Sequence, residues 1–76
     1  MLNEHDRVVL TEPRPNEGLE PGDIGAIVHV YPNAAAYEVE FITLTGQTAA
    51  VLTLEPHEIR PVGHSEIPHA RALALH

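Results

Sequence analysis

The chain has 76 residues, no cysteine, and 11 acidic against 4 basic residues, which gives a formal net charge of −7. This length allows one small domain, and the lack of cysteine excludes disulfides, thiolate zinc sites and cysteine nucleophiles. Nucleic acids and anionic membranes attract clustered Lys and Arg, so four scattered arginines without any lysine argue against both as partners. We therefore expect a soluble, cytoplasmic protein that needs no cofactor.

Short apolar or alternating runs, separated by proline and glycine, predict β-strands along most of the chain. A proline-rich loop follows the first run, and Pro21-Gly22 within it suits the centre of a type II turn. The even positions from Ile24 to Val30 are expected to share one face of the second strand. In the third strand, alternation predicts that Glu38 and Glu40 face water. The five predicted strands are 6–11, 24–31, 37–42, 48–54 and 59–62.

Strands this short favour a closed or nearly closed barrel, because closure removes exposed sheet edges. The sequence therefore predicts an all-β fold, with a small five-stranded barrel over residues 1–62 and a tail over residues 63–76. Ser65 can cap a helix in this tail, but an isolated helix of about two turns is marginal in water. We expect the tail to be a short helix or disordered unless a partner or a second copy covers Leu73 and Leu75.

The order of several short segments resembles a known bacterial family. The segments are D-R-V-V-L at 6–10, G-L-E-P-G-D-I-G-A-I-V-H-V-Y at 18–31, Y-E-V-E-F at 37–41, V-L-T-L at 51–54 and I-R-P-V at 59–62. Together they resemble the domain of unknown function 4926, a family of small proteins with an SH3-like barrel. The resemblance implies this fold and supplies no catalytic or ligand residues. It also implies partnership with another small protein, such as a toxin.

Two looser similarities concern other SH3-like modules. The glycines before the apolar strand, in G-D-I-G-A-I-V at 22–28, resemble those of KOW-type ribosomal and transcription modules. Those modules commonly meet RNA through basic residues, which this chain lacks. The SH3-like parts of nitrile hydratase and its accessory proteins are similar at the level of the fold, and their resemblance brings no metal-binding cysteine motif here.

Acidic side chains in the loop after the first strand and on the third strand are the candidate partner-binding residues. In SH3-like barrels this loop often borders the ligand groove, so acidic residues there can meet a basic partner. An exposed tyrosine adds an apolar centre to such a surface. With the tail leucines, the candidate set is Glu12, Glu17, Glu20, Asp23, Tyr31, Glu38, Glu40, Leu73 and Leu75.

Metal binding and catalysis have weaker support. His64, Glu66 and His69 are residue types that bind zinc or nickel, but their spacing matches no standard ligand motif. We therefore expect solvated histidines. No serine or threonine stands in a triad or nucleophile elbow, and the neighbours His57 and Glu58 do not define an acid–base pair. An enzyme is not expected.

The leading hypothesis is a non-catalytic protein-binding module, with an antitoxin-like, neutralising partner of a more basic protein encoded nearby as one form of it. The alternative is a structural or accessory subunit that self-associates, or docks onto an enzyme, through the tail leucines. Metal handling and RNA binding are less favoured by the charge and the motifs.

Overall fold

The structure is a computed structural model that describes residues 2–73. Five antiparallel strands form one sheet in the order β4-β3-β2-β1-β5. The strands are β1 (Arg7–Leu10), β2 (Ile24–Val30), β3 (Tyr37–Ile42), β4 (Thr48–Leu54) and β5 (Ile59–Pro61). The all-β, five-stranded prediction is confirmed, and each strand begins and ends within one residue of its predicted bounds.

The sheet is compatible with an SH3-like barrel, but it is not closed. Within residues 2–73, β4 pairs with β3 alone and β5 pairs with β1 alone, so these two strands are the edges of the sheet. Short 3₁₀ turns connect the strands where proline sets the backbone φ. These turns are Pro15–Glu17, Pro32–Ala34 and Pro56–Glu58.

A single apolar cluster holds the strands together. On β3, alternation places Tyr37, Val39 and Phe41 in this cluster and turns Glu38 and Glu40 outward, as predicted. Full burial of one such side chain contributes roughly 1.5–3 kcal/mol. The buried members of the cluster are Val8, Leu10, Leu19, Ile27, Tyr37, Val39, Phe41, Leu54 and Ile59.

The predicted alternation of β2 is wrong beyond Ile27. The pairing of β2 with β3 shifts register between Ile27 and His29, as at a β-bulge. A bulge adds one residue to a strand and so reverses the side-chain alternation beyond it. As a result Val28 is exposed, whereas Val30 packs against the core. The even positions of this strand therefore do not share one face.

The tail was expected to be a short helix or disordered, and no helix forms in its described part, residues 63–73. A turn forms instead, in which the backbone N–H of Glu66 donates to the carbonyl oxygen of Gly63 at 3.2 Å. The Glu66 side chain turns back onto the backbone N–H of Gly63, so Ser65 does not cap a helix. The chain then runs irregularly until Leu73 packs against the core. The predicted docking residue Leu75 lies outside the described residues.

No helix within residues 2–73 is both long and apolar enough to cross a membrane.

Gly25 marks the closest approach between β2 and β3. A Cβ atom placed there would lie 2.6 Å from Cγ1 of Val39 and 3.0 Å from the backbone oxygen of Glu40. We predict that Gly25→Ala lowers the free energy of unfolding by about 1–3 kcal/mol, because the buried strands must move apart. Urea unfolding measures the loss.

Gly63→Ala is the matched control, since the three atoms nearest to its Cβ would belong to the exposed side chain of Glu66 and not to a buried strand. It is expected to change the free energy of unfolding by less than about 0.5 kcal/mol. Equal stability of the two variants would contradict the close packing of β2 against β3.

Candidate functional site

The loop between β1 and β2, residues 11–23, is fastened to the body of the protein. Arg14 forms a bridge with Leu19 inside the loop, and Leu19 is buried in the core. The Arg14 guanidinium also reaches Glu58, with its Nη2 2.9 Å from Oε2. Thr11 Oγ1 donates to the carbonyl oxygen of His57 at 2.8 Å. The loop is thus a fixed platform for its acidic residues.

Glu58 belongs to a capping box at the 3₁₀ turn before β5. Its Oε1 accepts a hydrogen bond of 2.9 Å from the backbone N–H of Glu55, and the Glu55 side chain accepts one in return. The backbone N–H of Glu55 is the main cause that lowers the pKa of Glu58, and Arg14 lowers it further.

Glu55, His57 and Glu58 bring three potential metal-ligand atoms within 4.8 Å of one another. Both oxygens of Glu58 are already used, one by the cap and the other by Arg14. Capping and ion pairing therefore account for this cluster.

The predicted metal residues are not grouped in this way in residues 2–73. Arg60 holds Glu66 with two hydrogen bonds of 2.9 and 2.6 Å. The Arg60 guanidinium, followed by the backbone N–H of Gly63, lowers the pKa of Glu66 from 4.5 to about 2. His64 and His69 are exposed. The structure thus gives Glu66 the role of fastening the start of the tail to β5.

A second fastening point, called here the Asp23 clamp, joins the tail to the loop through Asp23, Glu20 and Arg71. Arg71 Nε donates to Asp23 Oδ1 at 2.9 Å, and its Nη2 contacts Asp23 Oδ2 as well. The same Nη2 donates to the carbonyl oxygen of Gly18 at 3.0 Å, while Nη1 lies 3.6 Å from Oε2 of Glu20. Burial alone would raise the pKa of Asp23. The hydrogen bonds from Arg71 and from the backbone N–H of Glu20 outweigh it and lower that pKa below its usual value.

Turn chemistry sets the position of Asp23. Gly22 has a φ of +101°, and the backbone N–H of Asp23 donates to the carbonyl oxygen of Glu20 at 3.1 Å. These features fit the type II turn predicted at Pro21-Gly22. The backbone N–H of Glu20 returns a bond of 2.8 Å to Asp23 Oδ2. The carboxylate is thus oriented from within its own loop.

An apolar groove of about 440 Å³, called here the tail groove, lies beside the clamp. One wall is formed by tail residues 67–73, and the others by Leu19, the start of β2 and the β3–β4 hairpin. Several of its large apolar side chains face solvent, and Leu44 and Ile67 are more than four-fifths exposed. Exposed apolar side chains gathered at one site are typical of a binding surface.

A different group of predicted residues, Glu38 and Glu40 on β3 and the adjacent Tyr31, lies on the outer face of the sheet. Together with Val51 of β4, which was not predicted, they are called here the outer-face patch. Glu38 Oε1 accepts hydrogen bonds from the hydroxyl of Tyr31 at 3.2 Å and from that of Thr53 at 2.5 Å. Glu40 lies opposite Val51 on β4, and Val51 is 48% exposed. Acidic and apolar groups therefore lie side by side on this face.

The structure divides the predicted partner-binding residues between these two surfaces. Glu20, Asp23 and Leu73 lie at the clamp or tail groove, while Tyr31, Glu38 and Glu40 lie on the outer-face patch. Glu12 and Glu17 are exposed on the β1–β2 loop. Sequence reasoning missed Arg71, which holds the first group together. The sequence could have drawn attention to Arg71, because it is the one Lys or Arg between residues 63 and 76.

We predict that acid releases the tail from the loop. A carboxylate whose pKa is lowered in the folded state contributes stability above its unfolded pKa, and this contribution is lost as the pH falls through the folded pKa. For Glu66 this window runs from 4.5 to about 2, and Asp23 titrates below its usual 3.8. Amide NMR signals of Arg71 and Leu73, followed through a pH titration, should shift within this window and stay constant above it. Release of the tail near neutral pH would contradict the two fastening points.

Comparison with known proteins gives a family without an established activity. The family model described as a domain of unknown function, DUF4926, matches residues 4–61. This segment includes the five strands, the β1–β2 loop and the outer-face patch, and it ends before the tail. No curated protein and no solved structure matches the chain. The chain therefore belongs to the DUF4926 family.

Proposed function

We propose that the protein is a non-catalytic module that binds a basic protein partner through the outer-face patch. The observation that carries this proposal is the pair Glu38 and Glu40, presented side by side on one strand beside the exposed Val51. Interfaces commonly combine an apolar or aromatic centre with polar and charged groups around it. Tyr31 and Val51 supply the apolar contribution here.

Hydroxyl groups hold these glutamates without neutralising them. Both bonds to Glu38 end on Oε1, and the bond from Thr48 to Glu40 ends on Oε2 at 2.6 Å. Within residues 2–73, no hydrogen bond or ion pair uses the other oxygen of either carboxylate. Two negatively charged groups in fixed positions are therefore available to cations of a partner, at a lower entropic cost than flexible side chains would incur.

The distribution of the arginines supports a basic partner. Arg14, Arg60 and Arg71 each pair with acidic residues of the protein itself. The net charge of −7 is therefore carried mainly by carboxylates that have no arginine partner. Such a field raises the rate of association with a positively charged protein and repels an acidic one. An antitoxin-like module that neutralises a basic protein is the specific form of this proposal.

The test compares two double substitutions with the same change in charge. Tagged native chain, E38Q/E40Q and E12Q/E17Q are exposed to native lysate at about 0.15 M salt, and retained proteins are identified and then purified. We expect the native chain to retain a specific basic protein, and the purified protein to bind E38Q/E40Q at least about tenfold more weakly. E12Q/E17Q should weaken binding less than about threefold, because it alters only the general field.

Retention of no specific protein would refute the proposal. Equal weakening by the two double substitutions would also refute it, because the outer-face patch would then contribute only its net charge.

A structural, self-associating subunit is the second candidate function, and the exposed edge of β4 favours it. The strand T-A-A-V-L-T-L at Thr48–Leu54 carries no charge and no proline, the features that usually protect an edge from pairing with another chain. The other edge, β5, is only three residues long and ends at Pro61. Pairing of β4 with β4 of a second copy, around a two-fold axis at Val51, would join two sheets.

We predict that, if this second candidate holds, the native chain has twice its monomer mass of 8.3 kDa in solution. Val51→Lys would then return it to the monomer, because two charges would meet at the symmetry axis. Val28→Lys, at an exposed valine on β2, is the control and should leave the dimer intact. Light scattering distinguishes the outcomes, and a native monomer at high concentration contradicts self-association.

A further inference from the structure

The tail packs along the rest of the protein as a bound peptide would, and the tail groove lies beside it. Residues 67–73 form one wall, and the other walls come from the segment that matches the family model, residues 4–61. The tail itself lies outside that match. The carboxylate of the Asp23 clamp thus lies within the family match, while the arginine that binds it lies beyond the end of that match.

The tail contacts the rest of the protein through Arg71 and Leu73. Arg71 combines an ion pair to Asp23 with a hydrogen bond to the carbonyl oxygen of Gly18. This planar, multidentate arrangement suits a guanidinium better than an ammonium group. Leu73, two positions later, packs against the apolar core. The tail is therefore bound through a charged and an apolar side chain two positions apart.

Hydrogen bonds that do not involve the tail hold Asp23 in the position where it meets Arg71. The Asp23 carboxylate is oriented by the backbone N–H of Glu20, and the backbone N–H of Leu10 donates to the carbonyl oxygen of Asp23 at 2.8 Å. The adjacent Gly22 N–H donates to the carbonyl oxygen of Leu10 at 2.8 Å. None of these bonds involves the tail. A preformed site binds a segment with less loss of entropy than one that must order itself.

We propose that Asp23, Glu20 and the walls of the tail groove between Leu19 and Ala49 form a peptide-binding site for segments with arginine followed two positions later by leucine. The tail, residues 66–73, is a tethered ligand of this site, and a partner segment of the same chemistry displaces it. This site is separate from the outer-face patch, and it selects partners by a short basic and apolar sequence.

Displacement is physically accessible because the tail is held mainly at its two ends. Arg60–Glu66 is an exposed ion pair, which contributes little stability, and Arg71–Asp23 is a single, partly buried pair. Between them Ile67 is 83% exposed, so it contributes little burial. A short tether gives the tail an effective concentration in the millimolar range. A free peptide therefore competes poorly with the native tail and much better with a tail that cannot occupy the clamp.

The test uses full-length chain and a labelled peptide of residues 66–73, E-I-P-H-A-R-A-L, with blocked ends. Fluorescence anisotropy measures its binding to the native chain, to Arg71→Glu and to Arg7→Glu. Arg71→Glu repels the tail from Asp23, whereas Arg7→Glu makes the same change of charge at an exposed position on β1. We expect the peptide to bind Arg71→Glu at least about tenfold more tightly than it binds the other two proteins.

Two further measurements identify the contacts. A peptide with alanine in place of its arginine should lose binding to Arg71→Glu by at least about tenfold, because the contact to Asp23 is lost. Adding Asp23→Asn to Arg71→Glu should have the same effect on the unmodified peptide. If Arg71→Glu does not fold, Arg71→Ala takes its place in every comparison.

Equal peptide affinity for native chain and Arg71→Glu would overturn the proposal, as would unchanged binding of the alanine peptide. Absence of peptide binding to every protein would also overturn it. None of these outcomes depends on Glu38 or Glu40. The peptide site and the outer-face patch therefore succeed or fail separately.

Discussion

The packing of nine buried side chains into one cluster is the constraint on which the rest of the molecule depends. A chain this short has little apolar surface to bury, and without cysteine it has no covalent cross-link. β1 contributes Val8 and Leu10 to the cluster and pairs with both β2 and β5. Because Leu19 of the β1–β2 loop is a member of the same cluster, the loop is ordered by the core itself.

Ion pairs extend this order to segments that have no regular structure. Arg14 joins the loop to the 3₁₀ turn before β5, while Arg60 and Arg71 hold the two ends of the tail. Each pair is exposed or half-buried and contributes little stability by itself. Together the three ion pairs affect which charges remain on the surface. Since three of the four arginines are used internally, carboxylates dominate the charged surface within residues 2–73, and fixed acidic groups remain on the outer-face patch.

The strands were predictable from the sequence because their signals are local. Alternation from Tyr37 to Ile42 indicates which side chains enter the core, and proline and glycine indicate where strands end. The bulge after Ile27 was not predictable, because it depends on how β2 pairs with β3. The form of the tail was left open between a helix and a disordered segment for a related reason. Its helix-forming composition is a local signal, whereas Arg71 binds Asp23, 48 positions earlier in the chain.

The candidate site, like the fold, could be predicted only where its signals are local. Acidic residues near the β1–β2 loop and on β3 could be chosen as candidates from the net charge, from strand alternation and from the position of this loop beside the ligand groove in SH3-like barrels. Their separation into a clamp and an outer-face patch required the tertiary structure. Arg14 and Glu58 show why, because 44 positions separate them and no spacing rule connects them. Long-range ion pairs of this kind decide which acidic residues remain available to a partner.

The central claim is that the tail is a bound segment of the folded protein. Backbone ¹⁵N relaxation of the full-length chain at neutral pH tests this most directly. The structure predicts order parameters for Arg71 and Leu73 close to those of β3, about 0.85, with a decrease in Asp23→Asn. Values below about 0.6 at both residues in the native chain would contradict it, because an unattached tail could not hold Arg71 against Asp23.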